Sequence, residues 1–358
     1  MSKICFLANA KSIHTVRWCN YFLERGHQVS VITLQDAQID GVSVHYVNCG
    51  KIDNNGGNWR IIFAIGKVKH LLKKLQPDII HALYATSYGL LGALSGVHPF
   101  AVTALGSDVL VSPANNKFYR RLLRFVFSKA QWITSMSEEM YALMLKYGAA
   151  EDRTEVLVFG IDATVFNHVN RCLSKDCFVI TSTRNFEPIY HVDTFLDAVN
   201  LCRKRIPNLS VNLIGSGSLE VMLKDKIEKL KLADIVSFAG KLTQPEIASY
   251  LNQSQIFVSV SSSDGNNISL NEAMACGCFS VVSDIPANRQ WIIEGENGFY
   301  CNEITAEAIA ASIQRAYVAY DEITERCVEM NERIIAERAN WHVNMQRVEA
   351  KYKQLIQS

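Results

Sequence analysis

The sequence predicts an α/β protein of two domains, each a doubly wound parallel sheet covered by helices. Three observations carry this. The chain has 358 residues, and at roughly 150 residues per domain that length suits two domains, each large enough to bury a sizeable core. Short β-branched or apolar runs alternate with amphipathic segments, which is how strand–helix–strand units read. The alternation breaks once, over VFGIDATVFNHVNRCLSKD, and then restarts.

Seven runs precede the break: ICFLAN, QVSVIT, SVHYV, DIIHAL, FAVTAL, QWITSM and EVLVF. Between them the spacing of Trp59, Ile62, Phe63, Leu71, Leu72 and Leu75 predicts a helix that stops before Pro77. Six runs follow the break: CFVITST, SVNLIG, IVSFAG, QIFVSVS, CFSVVS and GFYC. From about Ala306 the strand signal ends and helices are expected, with Trp341 late in a charged stretch. The expected division is residues 1–168, residues 169–335, and a last helix over 336–358 that packs back on the first domain. No fixed-period repeat is present, so a solenoid is excluded.

Composition narrows the function classes. With 49% apolar, 20% charged and 9% aromatic residues and only 7 prolines, the chain is globular rather than disordered or fibrous. Lys and Arg number 36 against 35 Asp and Glu, so no chain-wide field attracts nucleic acid, and no nucleic-acid partner is expected. The balance is uneven along the chain: residues 1–150 hold 16 basic and 8 acidic side chains, a net +8, and residues 151–358 hold 20 and 27, a net −7.

The ten cysteines are scattered from Cys5 to Cys327 without a CxxC pair, which predicts reduced thiols and a cytoplasmic location. Cys276 and Cys278 are too close and too solitary for a zinc site and are expected in the core. The opening MSKICFLANA imitates a signal peptide, yet it is followed at once by a helical pattern with Arg17, Glu24 and Arg25, so it reads as a first strand feeding a first helix. Ala85 to Gly106 carries no charge, but its glycines and Pro99 divide it into a buried helix and a strand rather than a membrane span.

Several catalytic signatures are missing: there is no GxxxxGK[ST] loop, no GxSxG elbow, no HExxH helix and no DxD pair. Gly215, Ser216 and Gly217 follow a strand, but the third glycine of a dinucleotide fingerprint is replaced by Glu220. Either a tight strand-to-helix turn or a contact with a nucleotide accounts for the pair. The informative stretch is SSSDGNNISLNEAMACGCFSVVSDIPANRQWIIEGENGFY. A polar loop with Asp264 and Gly265 precedes a helix from about Ile268 to Cys276, and loop amides at a helix N-terminus form an anion site. Glu272 on the first turns of that helix suits vicinal hydroxyls such as those of a ribose. The same residues also suit a capping carboxylate beside a solvated loop.

This stretch resembles the carboxyl-terminal signature of glycosyltransferase family 4, retaining enzymes of the GT-B fold, in which an acidic pair eight positions apart is followed by Ala-Met-Ala-x-Gly. Here the pair is Asp264 and Glu272, continued by Ala273, Met274, Ala275, Cys276 and Gly277, with a later Asn297 and Gly298. Further segments in family order are SIHTVRWCNYFLERGHQVSVIT, HALYATSYGLLGAL, LGSDVL, VFGID with Phe166, and FAGKL. The resemblance implies two Rossmann-like domains facing a central cleft, with the donor nucleotide-sugar on the second and the acceptor on the first.

It also implies roles. Arg184, Asp264 and Glu272 would be the catalytic set: Arg184 against the diphosphate, Asp264 on hydroxyls of the transferred sugar, Glu272 on the ribose. The amides of Gly265, Asn266, Asn267 and Ile268 would hold sugar or phosphate oxygens, the turn at Lys241 and Leu242 would receive the base, and Gly215 would line the donor. No metal and no cofactor are implied. Four positions depart from the family pattern: Asp264 replaces Glu; Tyr190 stands where a second phosphate-binding cation is usual, with His191 beside it; Asn9 to His14 replace an amino-terminal glycine loop; and Leu105 replaces a histidine before Gly106. His14, His81 and Asp108 become the candidates for the acceptor side.

The reading is a retaining, metal-independent glycosyltransferase that extends a glycan, with a lipid-linked acceptor and a part in surface polysaccharide or glycoconjugate synthesis expected. The alternatives are a sugar-nucleotide 2-epimerase of similar architecture and a non-catalytic sugar-nucleotide-binding subunit. KFYRRLLRFVFSK, Lys117 to Lys129, interleaves basic and apolar residues as a helix lying on an anionic membrane surface does, and equally as a domain helix with its arginines in water.

Overall fold

The computed structural model describes residues 1–50, 59–114 and 116–358. Among these, two compact units are found: Met1–Val158 together with Met345–Ser358, and Phe159–Asn344. All thirteen apolar runs become strands.

In the first unit the strands are β1 (Lys3–Leu7), β2 (Gln28–Thr33), β3 (Ser43–Tyr46), β4 (Ile79–Leu83), β5 (Phe100–Thr103), β6 (Trp132–Ser135) and β7 (Thr154–Val156). They pair in parallel in the order β3-β2-β1-β4-β5-β6-β7. β4, β5 and β6 are buried along their whole length, because helices cover both faces, and this is why they read as continuous rather than alternating runs. The Trp59 pattern begins as a 3-10 turn, Trp59–Ala64, before the helix Ile65–Leu75.

The core of this unit is completed by the end of the chain. Tyr352, on the last helix Trp341–Gln357, stacks on Phe22 with ring centroids 5.2 Å apart, and its hydroxyl bonds His81 Nδ1. Glu349 of the same helix sits 3.3 Å from Arg25 Nε.

The second unit holds β8 (Phe178–Ser182), β9 (Leu209–Ile214), β10 (Val236–Gly240), β11 (Ile256–Ser259), β12 (Phe279–Ser283) and β13 (Gly298–Cys301). Their parallel order is β10-β9-β8-β11-β12-β13. The order runs outward in both directions from the β8/β11 pair, and the crevice beyond the carboxyl ends of such a pair is where ligands bind in open α/β sheets. The helix Ala306–Arg338 packs Ile309, Ile313, Ala316, Tyr320 and Cys327 into the core.

The division falls after Val158 and after Asn344, where the sequence suggested 168 and 335. The linker packs early with the second unit: Ile161 bridges to Asn340, and Gly160 lies so close to Ala339 that a Cβ would meet its carbonyl oxygen at 2.5 Å. Arg171 then anchors the segment by donating to the carbonyls of Cys276 at 2.8 Å and Ser254 at 2.9 Å. All ten cysteines are free thiols, and Cys276 and Cys278 are buried. No helix among the described residues is long and apolar enough to cross a membrane.

Candidate functional site

Three segments of the second unit meet beyond the β8/β11 pair. The first leaves β8 and brings Arg184, only 7% exposed. The second leaves β11 and carries Asp264 to Asn267 into the helix Ile268–Ala275. The third is the turn Pro188–Tyr190, which leads through His191 into the helix Val192–Cys202.

Arg184 ties them together. Its Nη2 donates to Asp264 Oδ2 at 2.7 Å and its Nη1 to Asn267 Oδ1 at 2.8 Å. The guanidinium carbon lies 4.1 Å from the centroid of the Tyr190 ring, a cation–π contact. Tyr190, in the place of a second cation, thus serves the first one. Asn267 is the N-cap of the helix and accepts from Leu270 N at 3.2 Å. Its amide is oriented by donation to Ser259 Oγ and Asn288 Oδ1, each at 3.0 Å, and Asn288, 0% exposed, is held by donating to the Ser283 carbonyl at 2.9 Å. Glu272 lies one turn into the helix Ile268–Ala275, whose other end receives the Arg171 guanidinium at Cys276. A cation there complements the negative end of the helix dipole.

Four buried polar atoms on these segments, Thr183 Oγ1, Arg184 Nε, His191 Nε2 and Asn266 Nδ2, make no hydrogen bond among the described residues. Buried polar groups are nearly always satisfied, so these four are the groups on the converging segments that a ligand could complete.

Gly215 and Gly217 have a reason visible in the backbone. A Cβ at Gly215, where φ is +152°, would lie 2.6 Å from the Arg184 carbonyl oxygen, and one at Gly217 would lie 2.4 Å from that of Phe186. The turn after β9 presses on the segment bearing Arg184, and the glycines permit that approach. After β10, exposed Lys241 and half-buried Leu242 lead into a capping box in which Thr243 N donates to Glu246 at 2.8 Å.

In the first unit two expectations are corrected. His81 is 0% exposed, with Nε2 2.7 Å from Thr103 Oγ1 and Nδ1 bonded to Tyr352, and burial pushes its pKa down to about 3. It is a neutral core residue. Asp108 is also 0% exposed; its carboxylate accepts from the amides of Ala85 at 2.6 Å, Gly106 at 2.9 Å and Leu105 at 3.1 Å. Its carboxylate organises the loops after β4 and β5. Burial raises its pKa against these hydrogen bonds. His14, half-buried at the start of the helix Ile13–Glu24, has its pKa pushed down to about 4 by burial and by the charge of Arg17.

The sequence did not single out Tyr84, which directly follows β4 at φ 108° with its hydroxyl 2.9 Å from Ser107 Oγ. A non-glycine residue at such φ is rare and gathers at functional sites. The bulk of the side chain after a buried strand was the one available signal.

The Lys117–Lys129 helix buries Leu123, Val126 and Phe127. Phe118 and Phe125 stand in solvent at 65% and 37% exposure among the basic residues. Arg120 is turned back onto the carbonyls of Pro113 at 2.8 Å and Ala114 at 2.7 Å.

Known proteins resemble this chain in sequence and in fold. Residues 3–137 match the family described as glycosyl transferase 4-like, and residues 168–335 match glycosyl transferases group 1. A D-inositol 3-phosphate glycosyltransferase of Paenarthrobacter aurescens is 28% identical over 49% of this chain and 46% of its own length. The amylovoran biosynthesis glycosyltransferase AmsK of Erwinia amylovora is 26% identical over 68% of this chain and 65% of its own. The chain thus spans less than two thirds of the length of these curated relatives. In fold, HepE of Anabaena, solved with UDP and glucose, aligns over 99% of this chain and 100% of its own with a TM-score of 0.78 and 16% identity. Sucrose-phosphate synthase from Thermosynechococcus elongatus aligns over 99% of both chains at 0.81 and 16%.

Proposed function

The chain belongs to the glycosyl transferases group 1 family and has the GT-B fold, and from that premise we propose that it moves a sugar from a nucleotide-sugar donor to a glycan acceptor, with retention at the sugar carbon and without a metal ion. The observation that carries the reading is Arg184: a buried cation held on Asp264 and Asn267 at the switch point of the second sheet. Its permanent charge and fork of donors suit a diphosphate.

The donor's diphosphate lies against Arg184 and the amides opening the helix Ile268–Ala275. Glu272 accepts from the ribose hydroxyls, and the turn at Lys241 and Leu242 receives the base. The acceptor hydroxyl attacks the sugar carbon from the face the diphosphate leaves, the carbon–oxygen bond to phosphate breaks, and a phosphate oxygen takes the hydroxyl proton. The protein contributes positioning and stabilisation of the growing phosphate charge, so no protein nucleophile is needed.

The acceptor we propose is lipid-linked, in surface polysaccharide or glycoconjugate synthesis. Exposed Phe118 and Phe125 beside Lys117, Arg121, Arg124 and Lys129 fit an anionic membrane surface, and AmsK by its name serves amylovoran biosynthesis.

The test is a thermal-shift screen of UDP-, GDP- and other nucleotide-linked sugars, followed by titration of the best binder into Glu272→Ala. Loss of about 1.5 to 3 kcal/mol per hydrogen bond to the carboxylate is expected. Failure of every nucleotide-sugar to stabilise the protein, or unchanged affinity in a folded Glu272→Ala, overturns the assignment.

A further inference from the structure

We propose that the side-chain amide of Asn266 reads a hydroxyl oxygen of the transferred sugar, and that Trp291 is the positioning residue that aims it. The inference rests on the donor reading above and adds to it a residue that determines which sugar is accepted. Trp291, 1% exposed, donates from Nε1 to Asn266 Oδ1 at 2.9 Å, and Gln290 Nε2 approaches the same oxygen at 3.4 Å. An indole N–H only donates, so the atom facing it is the amide oxygen, and the amide nitrogen must face the other way.

That nitrogen is buried in a residue only 9% exposed and has no partner. A buried donor left unsatisfied is costly, and its place in the sequence makes the cost informative: the next residue, Asn267, is the one that holds Arg184. Trp291 is itself fixed, with the Arg338 guanidinium 4.8 Å above its ring and its carbonyl accepting from Asn297 Nδ2 at 3.0 Å. Two chemically distinct groups therefore belong to one site, Arg184 through its bond to Asn267 and the amide of the neighbouring Asn266. Arg184 supplies charge for phosphate, and Asn266 supplies a neutral, pre-aimed donor that matches an uncharged hydroxyl. A sugar lacking an oxygen at that position leaves the amide unpaired, which is how a site rejects a deoxy analogue.

The experiment compares the dissociation constants of free nucleotide and nucleotide-sugar by calorimetry, using UDP with UDP-glucose and UDP-N-acetylglucosamine, and GDP with GDP-mannose. The ratio of the two constants isolates the sugar contact. Asn266→Asp keeps an acceptor for Trp291 and removes the unpartnered donor; its added charge weakens nucleotide and nucleotide-sugar alike. Trp291→Phe keeps the ring and removes the N–H that orients the amide. The expected result is a fall of about tenfold in the sugar ratio for Asn266→Asp, the effect of one hydrogen bond, and a smaller fall for Trp291→Phe with free-nucleotide binding unchanged. An unchanged ratio in Asn266→Asp, as a purely structural amide or a phosphate contact requires, overturns the inference while leaving the donor reading intact. If the wild-type protein binds none of these ligands, the donor reading falls and takes this inference with it.

Discussion

Arg184 and Asp264 form an ion pair of 2.7 Å with side chains only 8% and 17% exposed. The cation expected on the diphosphate and the carboxylate expected on the sugar are thus engaged with each other. A phosphate that reaches Arg184 competes with Asp264, and a carboxylate released from Arg184 becomes available to sugar hydroxyls. On the proposed reading, donor binding would be an exchange of partners, with Tyr190 and Asn267 holding the guanidinium from two other sides.

Removing the competitor is therefore expected to strengthen phosphate binding. Asp264→Asn should bind free UDP or GDP more tightly, by about tenfold, on the order of 1.4 kcal/mol, while sugar transfer slows. It should also melt earlier, because a buried charge loses its partner. Calorimetry beside a turnover assay checks this; weaker nucleotide binding in a folded Asp264→Asn refutes the exchange.

Arg184→Ala tests the opposite side. Phosphate charge grows toward the transition state, so kcat should fall by about 10²–10³, more than donor affinity does. Activity of the wild type should persist in EDTA. Loss of activity in EDTA with recovery in manganese would remove the metal-independent part of the proposal.

The Lys117–Lys129 helix gives a prediction about membranes. Each basic residue near an anionic surface is worth about 1 kcal/mol and is screened by salt. Replacing Lys117, Arg121 and Arg124 by Gln should abolish salt-sensitive sedimentation with phosphatidylserine-containing vesicles and leave nucleotide binding unchanged. Arg120 is spared, because it supports the backbone at Pro113 and Ala114. A wild type that stays in the supernatant at low salt shows that the acceptor is not reached at a membrane through this helix.

His81 predicts a pH dependence of stability. Its pKa falls from 6.5 to about 3 on burial, so the unfolded chain takes up a proton that the native core refuses. The stabilisation is complete above pH 6.5, the ordinary value, and is lost as pH falls toward about 3. His14, lowered to about 4, acts in the same direction, whereas the raised pKa of Asp108 opposes it at the acid end. Between about pH 6.5 and pH 5 the His81 contribution is on the order of 2 kcal/mol. His81→Gln should flatten melting temperature over that interval; an unchanged slope would show that the imidazole does not carry it.

The strands were open to reading from the sequence because buried parallel strands are unbroken apolar runs, whereas Arg184, Asp264 and Glu272 became candidates through the family resemblance of the stretch from Asp264 to Gly298. What escaped depends on partners far away in the chain. Nothing local to His81 tells of Tyr352, 271 residues later, which turns an exposed candidate into a core residue. Asp108 looked available because its three amide donors are backbone atoms, which leave no mark in a sequence. Trp291 was visible only as one residue of a longer resemblance; its indole bond to Asn266 is tertiary. The boundary after Val158 leaves no local mark for a similar reason, since Ile161 finds its partner at Asn340.

The placement of Tyr352 and Glu349 in the first unit sets an order of assembly during synthesis. The ribosome makes the first unit's sheet early, yet the groups that close its core come last, after the whole second unit has emerged. Until then Phe22 lacks its stacking partner and His81 its tyrosine, so the half that is translated first is finished second. The second unit has all its strands before Met345 and is free to fold in the meantime. A chain ending at Asn344 should accordingly keep slow amide exchange in β8–β13 and lose it in β1, β2 and β4; equal protection in both sheets would show that the first unit does not wait.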